Sequence, residues 1–227
     1  MMVLKHKNIE KEFTFDRTTQ YILCIENAAF LRKIIFQMTS NPEENDFLLY
    51  EKDKEQKFDK NVYFIENPLN LIIDEKKLNT TIQKDVATSI DSTENEKYLM
   101  LLNEINDYLE SISYDYPLRL SYDSDMALQT FLKNFSLSYE PEKENMLVSL
   151  SEQIKILSEI FKFRVFVFLN LFDFMMEEEL LSFLEEMKRQ EVDVLILSTH
   201  FPSYKIPDVF IVRIDQDLCE LHIDSNS

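Results

Sequence analysis

Between Asp107 and Asp125 the chain gathers carboxylates at spacings that could hold a cation. Asp107 and Glu110 stand one helical step apart and can face the same side of a helix. Asp115 follows, Pro117 breaks the pattern, and Asp123 and Asp125 come after the break. Helix ends leave backbone carbonyls without partners. The stretch therefore offers carboxylate and carbonyl oxygens together, the donors of a hard cation that takes about six to eight oxygens. Asp123-Ser124-Asp125 starts like an EF-hand loop, but no glycine or later glutamate completes it. The same residues also read as exposed helix-end charges, with Asp123 capping the helix that follows. Glu177, Glu178 and Glu179 read as favourable charge at a helix N-terminus.

A second set of chemical side chains stands where two apolar runs end. Asn170 and Asp173 follow the first run, and Ser198, Thr199 and His200 follow the second. Ligand sites of open parallel sheets lie at such carboxyl ends. Serine beside histidine in sequence is no catalytic pair without the geometry, so hydrolase chemistry is the weakest of the readings. Glycine is absent from the whole chain. Phosphate-binding turns need glycine so that backbone amides can approach the anion. Neither the P-loop nor the dinucleotide fingerprint can exist here in standard form, and ATP hydrolysis by that route is not expected.

The elements that position these residues follow from hydrophobic periodicity. Residues 164–169 and 192–197 are short apolar runs rich in β-branched or aromatic residues, which predicts strands. Between them residues 175–190 place Met176, Leu180, Phe183, Leu184 and Met187 at helical spacing. Strand, helix and strand form one βαβ unit, which forces parallel pairing. The first run shows no polar alternation, as expected of a strand buried on both faces. Earlier, residues 13–15, 21–25, 47–50 and 62–65 read as strands, and 28–38 as a helix ended by Asn41-Pro42. Residues 51–61 read as a loop or hairpin tip, and 69–73 as either a strand or a helix start. From 94 to 114 apolar residues mark a long amphipathic helix. A shorter helix is expected over 123–135, and another over 142–161 behind Pro141. In that last helix Leu147, Leu150, Ile154, Leu157 and Phe161 make a seam fit for another helix, in this chain or a neighbour. Residues 209–214 and 218–223 read as a hairpin at a sheet edge.

The fold class is therefore α/β, a largely parallel sheet head with an inserted all-helical lobe. The head takes residues 1–87 and 161–227, and the lobe 88–160. A chain of 227 residues can bury a core of that size. No apolar stretch reaches membrane-spanning length, and the charged first residues lack a signal-peptide core, so a cytoplasmic location is expected. Cys24 and Cys219 sit in apolar runs and read as buried and reduced.

One family fits the order of these pieces. An early strand and helix, Tyr21-Ile-Leu-Cys-Ile-Glu-Asn-Ala-Ala-Phe-Leu-Arg-Lys-Ile-Ile-Phe-Gln37, precedes a helical insertion carrying Leu120-Ser-Tyr-Asp123. Val165-Phe-Val-Phe-Leu-Asn170, residues 180–186 and Val194-Leu-Ile-Leu197 close the pattern. The chain resembles the small type II-A CRISPR-associated adaptation protein, the Csn-two family. The resemblance implies a degenerate P-loop-like head with a helical leg, a ring-shaped homotetramer with a basic hole, and no catalytic activity. It implies binding to ends of linear double-stranded DNA threaded through that hole, and calcium for a stable ring. It implies a role in CRISPR spacer acquisition, an antiviral defence, beside the integrase proteins and the type II effector nuclease.

Net charge opposes that expectation. A chain at −18 should be repelled by DNA, whose phosphates supply most non-specific affinity. A ring reconciles the two if basic residues line the hole and acidic groups coat the outside. With the resemblance in view, Arg32, Lys33, Arg119 and Lys133 are the candidates for DNA, and Glu110, Asp115, Asp123 and Asp125 for calcium. The competing function is an acidic protein-interaction module that uses the 147–161 seam to hold a partner, without nucleic acid.

Overall fold

The computed structural model describes residues 1–40, 45–142 and 145–223. The chain divides into two compact units, Met1–Ile72 with Pro141–Ser227, and Ile73–Glu140.

In chain order the first unit carries β1 (Met2–His6), β2 (Ile9–Phe15), β3 (Gln20–Ile25), α1 (Ala28–Ser40), β4 (Phe47–Glu51), β5 (Lys54–Gln56), α2 (Phe58–Asn61) and β6 (Val62–Ile65). The second unit contributes α3 (Glu75–Ser89), α4 (Ser92–Asp115) and α5 (Leu128–Asn134). The chain then returns to the first unit with α6 (Met146–Glu159), β7 (Val165–Leu169), α7 (Glu177–Arg189), β8 (Asp193–Ser198), β9 (Phe210–Ile214) and β10 (Glu220–Ile223).

The first unit is a mixed α/β fold built on two sheets. The larger runs β10-β9-β3-β8-β7-β6, parallel throughout except for the edge strand β10. The expected βαβ unit is present, with β7 and β8 paired directly from Val165↔Asp193 to Leu169↔Leu197. Every residue of β3 and β8 is buried, as central parallel strands require. The smaller sheet, β2-β1-β4-β5, is wholly antiparallel. Its first strand hides in charged sequence: Met2, Leu4 and His6 point inward while Val3 and Lys5 do not. One core joins the two sheets and α1, through Leu4, Phe13, Phe15, Leu23, Ile34, Phe47, Val167 and Leu195. α7 buries Leu180, Phe183, Leu184 and Met187, and Phe183 meets Phe168 edge-on at 5.5 Å.

The boundaries differ from the sequence reading of 88–160 at both ends. α6 packs against α7 within the first unit, because Leu150, Ile154 and Leu157 are buried there. At the other end the second unit begins at Ile73, and α3 starts at Glu75, ahead of residue 88. Its Thr80, Thr81, Val86 and Thr88 are weak helix formers, which masked the pattern. The Asp74 side chain caps this helix, accepting from the Lys77 amide at 3.0 Å. Residues 69–73 form neither strand nor helix, and Cys219 is exposed whereas Cys24 is buried. The second unit is all helical. α3 packs on α5, Gln83 donates to the Leu137 carbonyl at 2.8 Å, and Tyr98 meets Phe131 at 5.4 Å.

Turns are made without glycine. Nine described residues have positive φ. Lys52 and Asp53, at φ 49° and 61°, join β4 to β5 in the turn that normally takes Asn-Gly. Glu191, at φ 56°, closes α7 in a Schellman motif, with Glu191 N–H to Lys188 O and Val192 N–H to Met187 O.

At the start of β8, Asp193 is 1% exposed. Its Oδ1 accepts from the amides of Arg17 (2.8 Å) and Thr19 (3.1 Å), while Oδ2 is buried without a partner. Burial pushes its carboxyl up to about 6, against the pull of those two amides. A carboxyl raised on folding contributes stability below its unfolded pKa of 3.8 and loses it as pH rises through about 6. Urea unfolding of the wild type should therefore lose on the order of 2 kcal/mol between about pH 4 and pH 7 through this group. Asp193→Asn should lack that slope. An identical pH profile in the variant would place the titration elsewhere.

Candidate nucleic-acid interface and cation site

α1 begins where Asn27 Oδ1 accepts from the amides of Ala29 (3.1 Å) and Phe30 (3.0 Å). Phe30, Leu31, Ile34 and Met38 turn inward, and helical period leaves Arg32 and Lys33 outside. The two cations are not equivalent. Arg32 is exposed and forms no ion pair among the described residues. Lys33 Nζ lies 2.5 Å from Asp46 Oδ2, which also accepts from Gln37 Nε2 at 3.0 Å. Hydrogen bonds from Lys33 and then Gln37 hold the Asp46 carboxyl down at about 2.

Behind this pair sits His6, buried between Phe30 and Phe47. Its Nδ1 accepts from the Asn8 amide at 3.2 Å, so the proton belongs on Nε2, which donates to Gln37 Oε1 at 3.1 Å. Burial pushes the His6 imidazole below its ordinary value, with the Gln37 bond opposing. Nothing in the sequence pointed to this chain of bonds, because His6, Lys33, Gln37 and Asp46 come from three separate segments.

In the second unit Arg119 lies in the segment between α4 and α5, and Lys133 in the last turn of α5. Both are exposed, and neither forms an ion pair among the described residues. Lys133 also suits the negative end of its helix.

Glu110 and Asp115 belong to α4, and Asp123 and Asp125 to the loop beyond it. The loop is pinned to the helix by Asn106, whose Nδ2 donates to the Ser124 carbonyl at 2.9 Å. Asn106 Oδ1 is buried there without a partner. Asp123 does not cap α5, which starts at Leu128 behind Ala127; its Oδ1 instead accepts from the Asp125 amide at 3.1 Å. Among the described residues no three His, Cys, Asp or Glu side chains converge as metal ligands. The orphaned Asn106 oxygen beside this loop is a donor of the kind calcium takes.

At the carboxyl ends of the parallel strands, only Glu26 and Asn27 separate β3 from α1. Glu26 Oε1 accepts from Arg213 Nε (2.7 Å) and lies 2.6 Å from its Nη2. A two-residue turn carrying a paired carboxylate offers no cradle for a phosphate chain. On the neighbouring strands Asn170 adopts φ 47°, and His200 Nε2 lies 3.4 Å from Asp173 Oδ1. Thr199 Oγ1 is 3.3 Å from His200 Nδ1, a long contact for a hydroxyl on nitrogen. Ser198 is fully buried and accepts from the His200 amide at 3.3 Å, so no substrate reaches it.

The sequence matches the family model described as CRISPR-associated protein (Cas_Csn2) over residues 39–218, well over half of the chain. No curated protein matches it. Among solved structures, an ABC transporter ATP-binding protein from Pyrococcus furiosus aligns with 14% identity and a TM-score of 0.41, over 93% of this chain and 96% of its own. The ATP-binding cassette of another ABC transporter, in its ADP conformation, aligns with 10% identity and a TM-score of 0.46, over 98% and 92%. At those scores neither bears on fold or chemistry.

Proposed function

We propose, from the premise that this chain belongs to the CRISPR-associated Cas_Csn2 family, that it binds ends of linear double-stranded DNA as a non-catalytic ring protein of spacer acquisition. The family match gives the CRISPR-associated role and carries the reading. Under it the glycine-free parallel sheet is a degenerate P-loop-like head, with Glu26 paired to Arg213 at the turn after β3. Arg32, Arg119 and Lys133 are exposed cations free to meet phosphates, sequence-independently. Lys33 joins them once released from Asp46.

Self-association into a homotetramer draws support from the second unit. α4 buries only Leu102, while Met100, Tyr108, Ile112, Tyr114 and Leu118 are exposed in and just beyond it. That much apolar surface is uncommon on a monomer that stays one. Calcium belongs to the proposal as an ion held between copies: Glu110, Asp115, Asp123 and Asp125 of one chain would need carbonyls or a second chain to complete its oxygens. The partners are linear DNA, further copies of this chain, the CRISPR integrase proteins and the effector nuclease, in the cytoplasm. No described helix is long and apolar enough to cross a membrane. The competing module loses its surface, because the middle of the 147–161 seam is buried inside the first unit.

Binding to a short linear duplex and to a closed circle of the same sequence, with calcium and then with chelator, tests the reading. Tight, calcium-dependent binding to the linear form alone is expected. Equal binding to both forms would replace the threaded hole with an open surface. Absence of binding to either at modest salt would leave the acidic charge to dominate and end the DNA reading.

A further inference from the structure

We propose that Lys33 and Gln37 form a phosphate subsite on α1 that Asp46 keeps closed, so that a DNA phosphate enters by displacing the Asp46 carboxylate. The inference rests on the DNA-binding reading above and names an anion competition at that site. Lys33 and Gln37 stand one helical turn apart, and both deliver donors to the same oxygen, at 2.5 and 3.0 Å. Converging charged and neutral N–H donors are how a protein holds an oxyanion.

The subsite is built and not incidental. Gln37 is 4% exposed, and its carbonyl oxygen is held by the His6 ring, whose tautomer the Asn8 amide fixes. The Gln37 NH2 is thereby aimed outward whatever anion stands before it. The Lys33 and Asp46 side chains are 44% and 22% exposed, so solution reaches the pair. Asp46 is also held through its backbone and its neighbour. The Asp46 carbonyl accepts from the Lys7 amide at 3.1 Å, and Asn45 bridges the Gln37 carbonyl (3.1 Å) and the Phe47 amide (2.9 Å). A phosphodiester presents one negative charge on two free oxygens, the same charge and valence as the carboxylate it would replace.

The test is a cycle of four proteins: wild type, Asp46→Asn, Lys33→Met and the double variant, each binding a linear duplex over a range of salt. Asp46→Asn keeps an oxygen for Gln37 and removes the charge on Lys33's partner. It should bind about fivefold to tenfold more tightly, with a salt slope steeper by about 0.9 for the one further phosphate that Lys33 then neutralises. In the Lys33→Met background the same change should give no gain. An equal gain in both backgrounds would overturn the subsite, since lowering the negative charge anywhere would then suffice. No gain from Asp46→Asn, in a protein whose wild type binds DNA, would overturn it and leave the DNA reading standing. If all four proteins melt cooperatively and none binds at low salt, the DNA reading fails and the subsite with it. Asp46→Ser serves in place of Asp46→Asn if the latter does not fold.

Discussion

Ile154→Asp is expected to abolish the folded first unit. Ile154 is fully buried, with Leu150 and Leu157 beside it at 1% exposure, and α6 packs there on α7. The substitution forfeits about 1.5–3 kcal/mol of apolar burial. It also places a carboxylate where it must either stay protonated or go unpaired, at several kcal/mol more. The sum is comparable with the whole stability of a domain, about 5–15 kcal/mol. Circular dichroism should show loss of cooperative melting, and the protein should become insoluble. Tyr114→Asp is the control: at 90% exposure it should leave melting nearly unchanged, about 0.5 kcal/mol or less. Under the proposed assembly it should lower the oligomer mass. A folded Ile154→Asp protein that lost only its partners would return the seam to the role of a docking face.

Reversing the unpaired cations should have the largest effect on DNA. Arg32→Glu combined with Lys133→Glu replaces two phosphate-seeking charges with two repelling ones in every copy. Both side chains are exposed and unengaged among the described residues, so no internal ion pair is broken and folding should be spared. Affinity for a linear duplex should fall at least about a hundredfold at low salt. The dependence of log affinity on log salt should flatten by about 0.9 for each phosphate no longer neutralised. All DNA sequences should weaken alike, because cations on phosphates carry no base information. Unchanged affinity would mark both residues as solvated surface charges. Lys33 is the less decisive target, because removing it also strands Asp46.

The parallel core was legible because burial on both faces writes itself into sequence as uninterrupted apolar runs. Residues 165–169 and 193–198 could be read as strands, and residues 177–189 as their crossover, from hydrophobic period alone. The antiparallel sheet was less visible. β1 is Met-Val-Leu-Lys-His, where a buried histidine stands at an inward position that sequence reading assigns to an apolar residue. α3 was hidden by its threonines, at 80, 81 and 88. The seam of α6 was recognised, but spacing does not say whether the facing helix belongs to the same unit. Of the site, sequence could nominate Arg32 and Lys33 as outward residues of α1. It could not reveal that Asp46 reaches Lys33, since the pair is made by tertiary placement with no spacing rule behind it.

The left-handed residues also say something about the chain before it folds. Arg17, Lys52, Asp53, Glu191 and Leu218 hold φ values that cost non-glycine residues about 1–2 kcal/mol each. A glycine at any of these places would relieve the native strain, yet it would also widen the range of conformations open to the denatured chain. That widening is worth about 0.4–1 kcal/mol per position. With no glycine anywhere, the unfolded ensemble of this protein is stiffer than usual along its whole length. Part of the strain at its turns is thus offset by disorder that the chain never had to give up.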